Sequence, residues 1–332
     1  METLLLSESD LQKILDEKKA IEAVEQAFLL HGRGEVEMPP KIYLNLAAHG
    51  GDFRAMPSHI SKLNACGMKW VNAHPKNLER GSLPAVMGIF ILNDPGTGFP
   101  LAIMDGTLLT RLRTGAAGAV ASKYLADPKS QVLALVGCGI QARAQLDCHQ
   151  AVFKLNRIHV CGKTLEDAKN FEKKLRDQGV AKIFIFKTIE ECVRDADIIC
   201  TTTPSRHPIL MSEWLKPGVH INAMGADGPG KQELDPAILK KSFLVVDDIE
   251  QAIHGGELNV PFSRGLIQMD DIDATLGEIV SGKKIFSRKG VRCTVFDSTG
   301  LAIQDLALAQ RAYVKAKELK IGRLWSLFDV QK

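Results

Sequence analysis

The sequence predicts an α/β protein: a doubly wound parallel sheet in the middle of the chain and an α+β region assembled from its two ends. Three observations point there. From Gln131 onward short apolar runs alternate with helical stretches, the texture of a parallel sheet covered on both faces. Within that stretch the wholly apolar run Val132–Val136 is followed at once by Gly137-Cys-Gly-Ile-Gln-Ala142 and then by a helical segment to Phe153. Residues 41–104, by contrast, alternate short apolar runs with glycine, proline and asparagine, as antiparallel strands do.

Taken in chain order, Ser7 to Asp10 offer a helix cap. Leu11, Ile14, Leu15, Ile21, Val24 and Phe28 then follow helical spacing until Gly32 and Gly34. Strands are expected at Ile42–Leu46, Phe53–Met56, Gly67–Val71, Val86–Leu92 and Leu101–Met104. A helix follows over Thr107–Leu125, in which Gly115 and Gly118 permit close backbone packing. Asp127-Pro-Lys-Ser130 reads as a hinge. Beyond it, strands are expected at 132–136, 157–161, 182–186, 197–202, 219–224, 243–247 and 291–296, and helices at 141–153, 165–178, 188–194 and 234–240. A last amphipathic helix covers Thr299–Leu319. The expected domains are 127–298 for the parallel sheet, and 1–126 with 299–332 for the α+β part.

Composition narrows the function. A chain of 332 residues can bury two cores, and a net charge of +3 with intermixed signs gives no basic stripe for nucleic acid. The seven cysteines are scattered without a C-x-x-C pair, so they read as reduced small hydrophobes and no metal site is expected. The first residues lack the basic and apolar regions of a signal peptide, and the apolar stretch Ala85–Met104 is broken by Asn93–Gly98. A soluble, cytoplasmic protein with small-molecule partners and no membrane contact is the expectation.

The glycine motif carries the most chemistry. A strand, a G-x-G-x-x-A turn and a helix N-terminus form a Rossmann-type dinucleotide site. Gly137 permits the turn, Gly139 lets phosphates approach the backbone, Ile140 and Gln141 open the helix, and Ala142 keeps that helix close to the sheet. The second strand ends in Cys161-Gly-Lys-Thr164 without the acid that usually marks NAD. Lys163 suits the extra phosphate of NADP and Thr164 adds a hydroxyl, so the reading leans to NADP while NAD stays open. Thr201–Ser205 and Asn222–Gly230 leave strands at their carboxyl ends, the ligand edge of such sheets. The latter loop carries Asp227, a candidate proton donor or acceptor whose plainer reading is an Asx turn. In the first part, Lys41, Arg54, Lys69 and Arg113 sit within or beside apolar segments without an obvious run of carboxylates. Several cations in half-buried strands suggest a small anionic substrate.

Met38–Lys41, Phe53–Pro57, Met68–Pro75, Met87–Pro95, Gly98–Asp105, Leu112–Ala117, Gly137–Ala142, Thr201–Ser205, Gly225–Leu234 and Phe296–Gly300 together resemble the ornithine cyclodeaminase/μ-crystallin family, and within it the archaeal-type alanine dehydrogenases. The resemblance covers nearly the whole chain. It implies a homodimer and reversible hydride transfer at an amino or imino carbon beside a carboxylate. It also implies that Lys41, Arg54 and Arg113 hold that carboxylate. Lys69 would polarise the carbonyl and move protons, Asp227 would be its acid/base partner, and Thr114, Thr202 and Ser298 would help position the cofactor. Bacterial cyclodeaminases of the family carry glutamate at the position of Arg54 and arginine at that of Lys41. An arginine at 54 repels a cationic substrate amine by a few kcal/mol at roughly 4 Å, which disfavours ornithine. The expected activity is an NAD(P)-dependent alanine dehydrogenase. The alternatives are ornithine cyclodeaminase, ketimine reductase and, further off, a μ-crystallin-like binding protein.

Overall fold

The computed structural model describes residues 1–77, 81, 83–176 and 182–328. The chain divides into two compact units, Met1–Arg113 with Leu301–Lys332, and Thr114–Gly300. The sequence places these boundaries at 126/127 and 298/299. The difference has a physical source. Gly106–Leu125 (α3) is one continuous helix, so the texture of the sequence changes only at its end. Its packing changes halfway along, where a methyl on Gly115 or Gly118 would strike the Ala144 carbonyl or the Gln145 side chain.

The first unit is built on an eight-stranded sheet. Its strands are Thr3–Leu6 (β1), Val36–Glu37 (β2), Ile42–Leu46 (β3), Gly51–Ile60 (β4), Ala65–Ala73 (β5), Val86–Asn93 (β6), Pro100–Asp105 (β7) and Arg323–Trp325 (β16). They run in the order β16-β1-β7-β6-β5-β4-β2, with β3 also on β4. All pairs are antiparallel except β1 with β7. The helix expected from Ser7 to Gly32 is two. Ser7 and Asp10 form a capping box for Glu8–Gln12 (α1), and Asp16 accepts from the Lys19 N–H at 2.8 Å to start Glu17–Arg33 (α2). Leu11, Ile14 and Leu15 stay buried through the break, which is why their spacing continues the helical pattern. The last helix, Ala302–Leu319 (α11), packs on β4, β5 and α2.

The second unit holds an all-parallel sheet in the order β10-β9-β8-β11-β12-β15-β13-β14. Its strands are Val132–Val136 (β8), Arg157–Cys161 (β9), Lys182–Ile185 (β10), Ile198–Thr201 (β11), Val219–Ala223 (β12), Phe243–Val246 (β13), Ala274–Thr275 (β14) and Cys293–Asp297 (β15). β8 and β12 are buried along their whole length, as strands covered on both faces must be. The order reverses between β8 and β11, so the chain leaves these two strands in opposite directions and opens a crevice at their carboxyl ends. Ile140–Val152 (α4) follows β8, and Leu165–Leu175 (α5) follows β9; Ile189–Val193 (α6), Pro236–Lys241 (α7), Ile249–Gly255 (α8), Asn259–Ser263 (α9) and Leu276–Ser281 (α10) come after them in the chain. Residues 177 and 178, expected in the latter helix, lie outside the described residues.

Inside this unit a buried polar chain links α3, α4, β12 and β15. Ser122 Oγ meets His149 Nε2 at 2.8 Å, and Asn222 Nδ2 donates to Ser122 Oγ at 2.8 Å. His220 then meets Asn222 at 3.2 Å and Thr294 at 2.8 Å. Among the described residues no group of three or more His, Cys, Asp or Glu side chains is arranged to hold a metal ion. No helix there is long and apolar enough to cross a membrane.

Candidate active site

The crevice at the sheet's reversal point is a cleft of about 620 Å³ lined by the glycine turn, Cys161, Lys163, Asp167 and Thr202 to Ser205 among others. That volume lies in the range of cofactor sites. Gly137 has φ 112°, a conformation only glycine adopts without strain, and its N–H donates to the Cys161 carbonyl at 2.9 Å. Gly139 is the N-cap of α4 and has no side chain with which to cap it. A Cβ built on Gly139 meets nothing within 4 Å, so open space lies over the positive end of a long helix. Ile140 is 59% exposed beside it, Gln141 is half-buried, and Ala142 is buried against the sheet. This open cradle fits a dinucleotide pyrophosphate.

The remaining expected cofactor residues divide. Lys163 is exposed on the cleft wall. Thr164 has local work, capping α5: its hydroxyl donates to Asp167 Oδ2 at 2.7 Å and accepts from the Asp167 N–H at 3.1 Å. Asp167, on the same wall, is an acid the sequence reading did not place there. Thr202 Oγ1 donates to the Val136 carbonyl at 3.3 Å beside Gly137. Ser298 is buried and its hydroxyl lies 3.4 Å from Asp247, which also accepts from the Gly300 N–H at 2.7 Å. Thr114 is buried on α3, its carbonyl accepting from Gln145 at 2.9 Å. Neither Ser298 nor Thr114 lines the cleft. Asp227 is half-buried in its loop and pairs with Lys231.

Two carboxylates that the sequence did not flag brace this edge. Glu233 is fully buried and accepts from Thr201 Oγ1 at 2.7 Å, Thr203 N at 2.6 Å, Thr203 Oγ1 at 2.7 Å and Gly225 N at 2.9 Å. It ties the loop after β11 to the loop after β12. Burial pushes its carboxyl above the ordinary range, against the hydrogen bonds that lower it. Glu257, also buried, accepts from Glu233 N at 2.8 Å and is held well above that range by burial and by the Glu233 charge.

The first unit holds the expected cations. Side chains of β5 alternate, and Lys69 falls on the buried face with Gly67 and Val71, at 0% exposure. Met56 opposes Lys69 and Arg54 opposes Val71, so Arg54 shares that face as a diagonal neighbour. Lys69 Nζ donates to Asp305 Oδ2 on α11 at 2.6 Å, and Arg113 Nε lies 3.5 Å from Asp305 Oδ1. Arg113 Nη1 donates to Gln304 Oε1 at 3.2 Å. Burial, the Arg113 charge and, to a lesser degree, the charge of half-buried Lys41 pull Lys69 down to about 7, opposed by Asp305. Arg54, with its side chain 13% exposed, donates to both oxygens of Asp52 at 2.9 and 3.3 Å and lies over the Tyr43 ring. The cations thus do have counter-anions, Asp52 and Asp305. Asp52 sits two residues before Arg54 on its own strand. Asp305 lies far along the chain, and its only sequence signal is an acid between Ile303 and Leu306 in a buried helix.

A strand, glycine turn and helix at the reversal point of a doubly wound sheet define the Rossmann class. The chain belongs to the ornithine cyclodeaminase/mu-crystallin family, whose model matches residues 1–320. It is 47% identical over 330 residues to an alanine dehydrogenase of Archaeoglobus fulgidus, covering 99% of this chain and 100% of the relative. Among solved structures it resembles an archaeal alanine dehydrogenase dimer with bound NAD, with a TM-score of 0.93 and 47% identity over 99% of this chain and 100% of that one. A Thermococcus litoralis Δ1-pyrroline-2-carboxylate reductase in complex with NADH and L-proline matches with a TM-score of 0.93 at 37% identity, over 97% of this chain and 99% of that one.

Proposed function

We propose that the protein is an NAD(P)-dependent amino-acid dehydrogenase that converts L-alanine, NAD(P)+ and water to pyruvate, ammonium, NAD(P)H and a proton, reversibly. The observation that carries the reading is a lysine buried in a strand face beside two arginines and held near a neutral pKa. Such a face suits a small carboxylate whose neighbouring carbon changes oxidation state. The nicotinamide coenzyme, when bound, accepts or returns the hydride.

In this reading the protein's own residues bind, orient and manage protons. Arg113, Arg54 and Lys41 grip the substrate carboxylate, the arginines through planar forks that match its geometry. Lys69, with a pKa of about 7, donates a proton to the carbonyl or carbinolamine oxygen in one direction and takes it back in the other. Asp227 is the partner acid/base. Gly137, Gly139, Ile140, Gln141, Ala142 and Thr202 seat the coenzyme. Lys163 favours the 2′-phosphate of NADP, whereas Asp167 on the same wall favours the 2′-hydroxyl of NAD. The reading takes the protein to be a cytoplasmic homodimer, supported by the dimer of the archaeal structure.

A second reading, reduction of a cyclic 2-carboxy imine, is favoured by the likeness to the Thermococcus litoralis reductase. The Arg54 charge expected to repel ornithine is paired with Asp52, so repulsion alone does not set cyclodeamination aside, whereas the buried Lys69 disfavours a purely binding role. The test is NADH and NADPH oxidation with pyruvate plus ammonium, set against Δ1-pyrroline-2-carboxylate and against ornithine with NAD+. Saturable oxidation that requires both pyruvate and ammonium supports the dehydrogenase. Turnover of the imine alone overturns it in favour of the reductase.

A further inference from the structure

Lys69 is held by a residue that has no place in the mechanism above. Asp305 is at 0% exposure on α11, five residues after Gly300 closes the second unit's last loop. Its two oxygens face two different cations: Oδ2 accepts from Lys69 Nζ at 2.6 Å, and Oδ1 lies 3.5 Å from Arg113 Nε. Gln304, one residue earlier and equally buried, receives the other side of the Arg113 guanidinium. A carboxylate buried among Ala302, Ile303, Leu306 and Ala307, with Gln304 as its one polar neighbour in that turn, is costly to keep, and a packed helix gains nothing from it without the two cations.

We propose that Asp305 is the positioning residue of Lys69, its carboxylate fixing the direction of the Nζ donor and opposing the positive charge of Arg113. This rests on the reading that Lys69 moves the proton, and it deepens that reading. The charged groups that act on Lys69 come from three elements: Asp305 on α11, Arg113 on α3, and Lys41 ahead of β3. Asp305 alone favours the ammonium form. Without it, burial, Arg113 and Lys41 act unopposed, and the amine gives up its proton at lower pH. An opposite charge in direct contact shifts such a group by about one to three pH units. Removing Arg113 moves the titration the other way, because Asp305 then faces Lys69 with its chief opponent gone.

The experiment reads Lys69 directly, without turnover. The full-length protein is made with lysine carrying 13C at Cε, and the Lys69 resonance is assigned from its loss in Lys69→Arg. Its chemical shift is then followed against pH in wild type, Asp305→Asn and Arg113→Gln. The expected result is a midpoint near 7 in wild type. In Asp305→Asn it falls by about one to three units, and in Arg113→Gln it rises by about one unit or more. Equal midpoints in wild type and Asp305→Asn overturn the proposal, as do shifts of the same sign in both variants, which a general loosening of packing would give. If Asp305→Asn does not fold, Arg113→Gln decides, and a midpoint that stays or falls overturns the proposal. Where pyruvate is turned over, the pH limb of kcat in Asp305→Asn moves with the midpoint while KM for pyruvate holds within about twofold. If the midpoints move as expected but no 2-oxo acid is reduced, the dehydrogenase reading fails and the positioning role of Asp305 stands.

Discussion

The two glycines of the turn make separable demands, and alanine at each tests the cleft. Gly137 sits at φ 112°, and a Cβ there would lie 2.7 Å from Thr202 Oγ1. Gly137→Ala therefore meets backbone strain of about 1–3 kcal/mol together with a steric clash. If the chain keeps its course, the second unit loses that stability, a fall in melting temperature of about 2–4 °C per kcal/mol for a unit of this size. If the turn instead relaxes to negative φ, it swings the first N–H groups of α4 off their aim, and coenzyme affinity falls by about tenfold per 1.4 kcal/mol. Gly139 differs: its φ is −86° and the space around its Cβ is open. Gly139→Ala should leave stability within about 0.5 kcal/mol, yet place a methyl where the pyrophosphate must approach. Melting curves with and without NADH, beside NADH fluorescence titration, read both quantities. Gly137→Ala should lose stability and binding, and Gly139→Ala binding alone. A Gly139→Ala protein that binds NADH as tightly as wild type would refute the assignment of this cleft to the coenzyme.

Other outcomes follow from the same geometry. Burial pushes His149 down to about 4 and His220 to about 3, so each contributes stability that is complete above pH 6.5 and lost as pH falls toward the folded value. Between pH 7.5 and 5.0 a histidine kept neutral forfeits about 2 kcal/mol, so urea unfolding should show His220→Gln less penalised at pH 5.0 by that amount. The raised Glu233 and Glu257 work the opposite way in this window, so the difference from wild type, not the wild-type curve, carries the signal; an equal penalty at both pH values contradicts it. Arg54→Gln should raise KM for pyruvate about tenfold to a hundredfold, the loss of one charge-assisted contact, and more because Asp52 is then unpaired; an unchanged KM removes Arg54 from the site. Lys163→Ala should weaken NADPH about fivefold and leave NADH alone, as an exposed charge pair of about 1 kcal/mol allows; equal effects on both coenzymes would place Lys163 elsewhere.

What the sequence disclosed follows from how local each signal is. The β8 run, the glycine turn and α4 are adjacent in the chain, and the doubly wound sheet was legible from them and from the strands that alternate with helices behind them. β1 and β16 were not, because each is a short strand stabilised by a partner at the opposite end of the chain, Thr3 against Trp325. The break between α1 and α2 was hidden by Ile14 and Leu15, which stay buried whether or not the backbone is helical there. In the first unit, Lys69 stood out as a cation in an apolar strand, and it is buried there. Its partner Asp305 did not, since one acid in an amphipathic helix reads as surface until tertiary packing turns it inward. Asp167 escaped because it stands in the first turn of α5 and reads as part of a capping box, and Glu233 and Glu257 because their roles come from loops that only the assembled sheet brings together.

The proposed activity requires hydride to reach the carbon beside a carboxylate gripped by the Lys69 face. Reduction of pyruvate with ammonium, using NADH doubly deuterated at C4, followed by mass spectrometry of the amino acid formed, tests it. Alanine that carries one deuterium at its α-carbon is expected, with none formed when ammonium is left out. Coenzyme oxidised without deuterium entering alanine would contradict it.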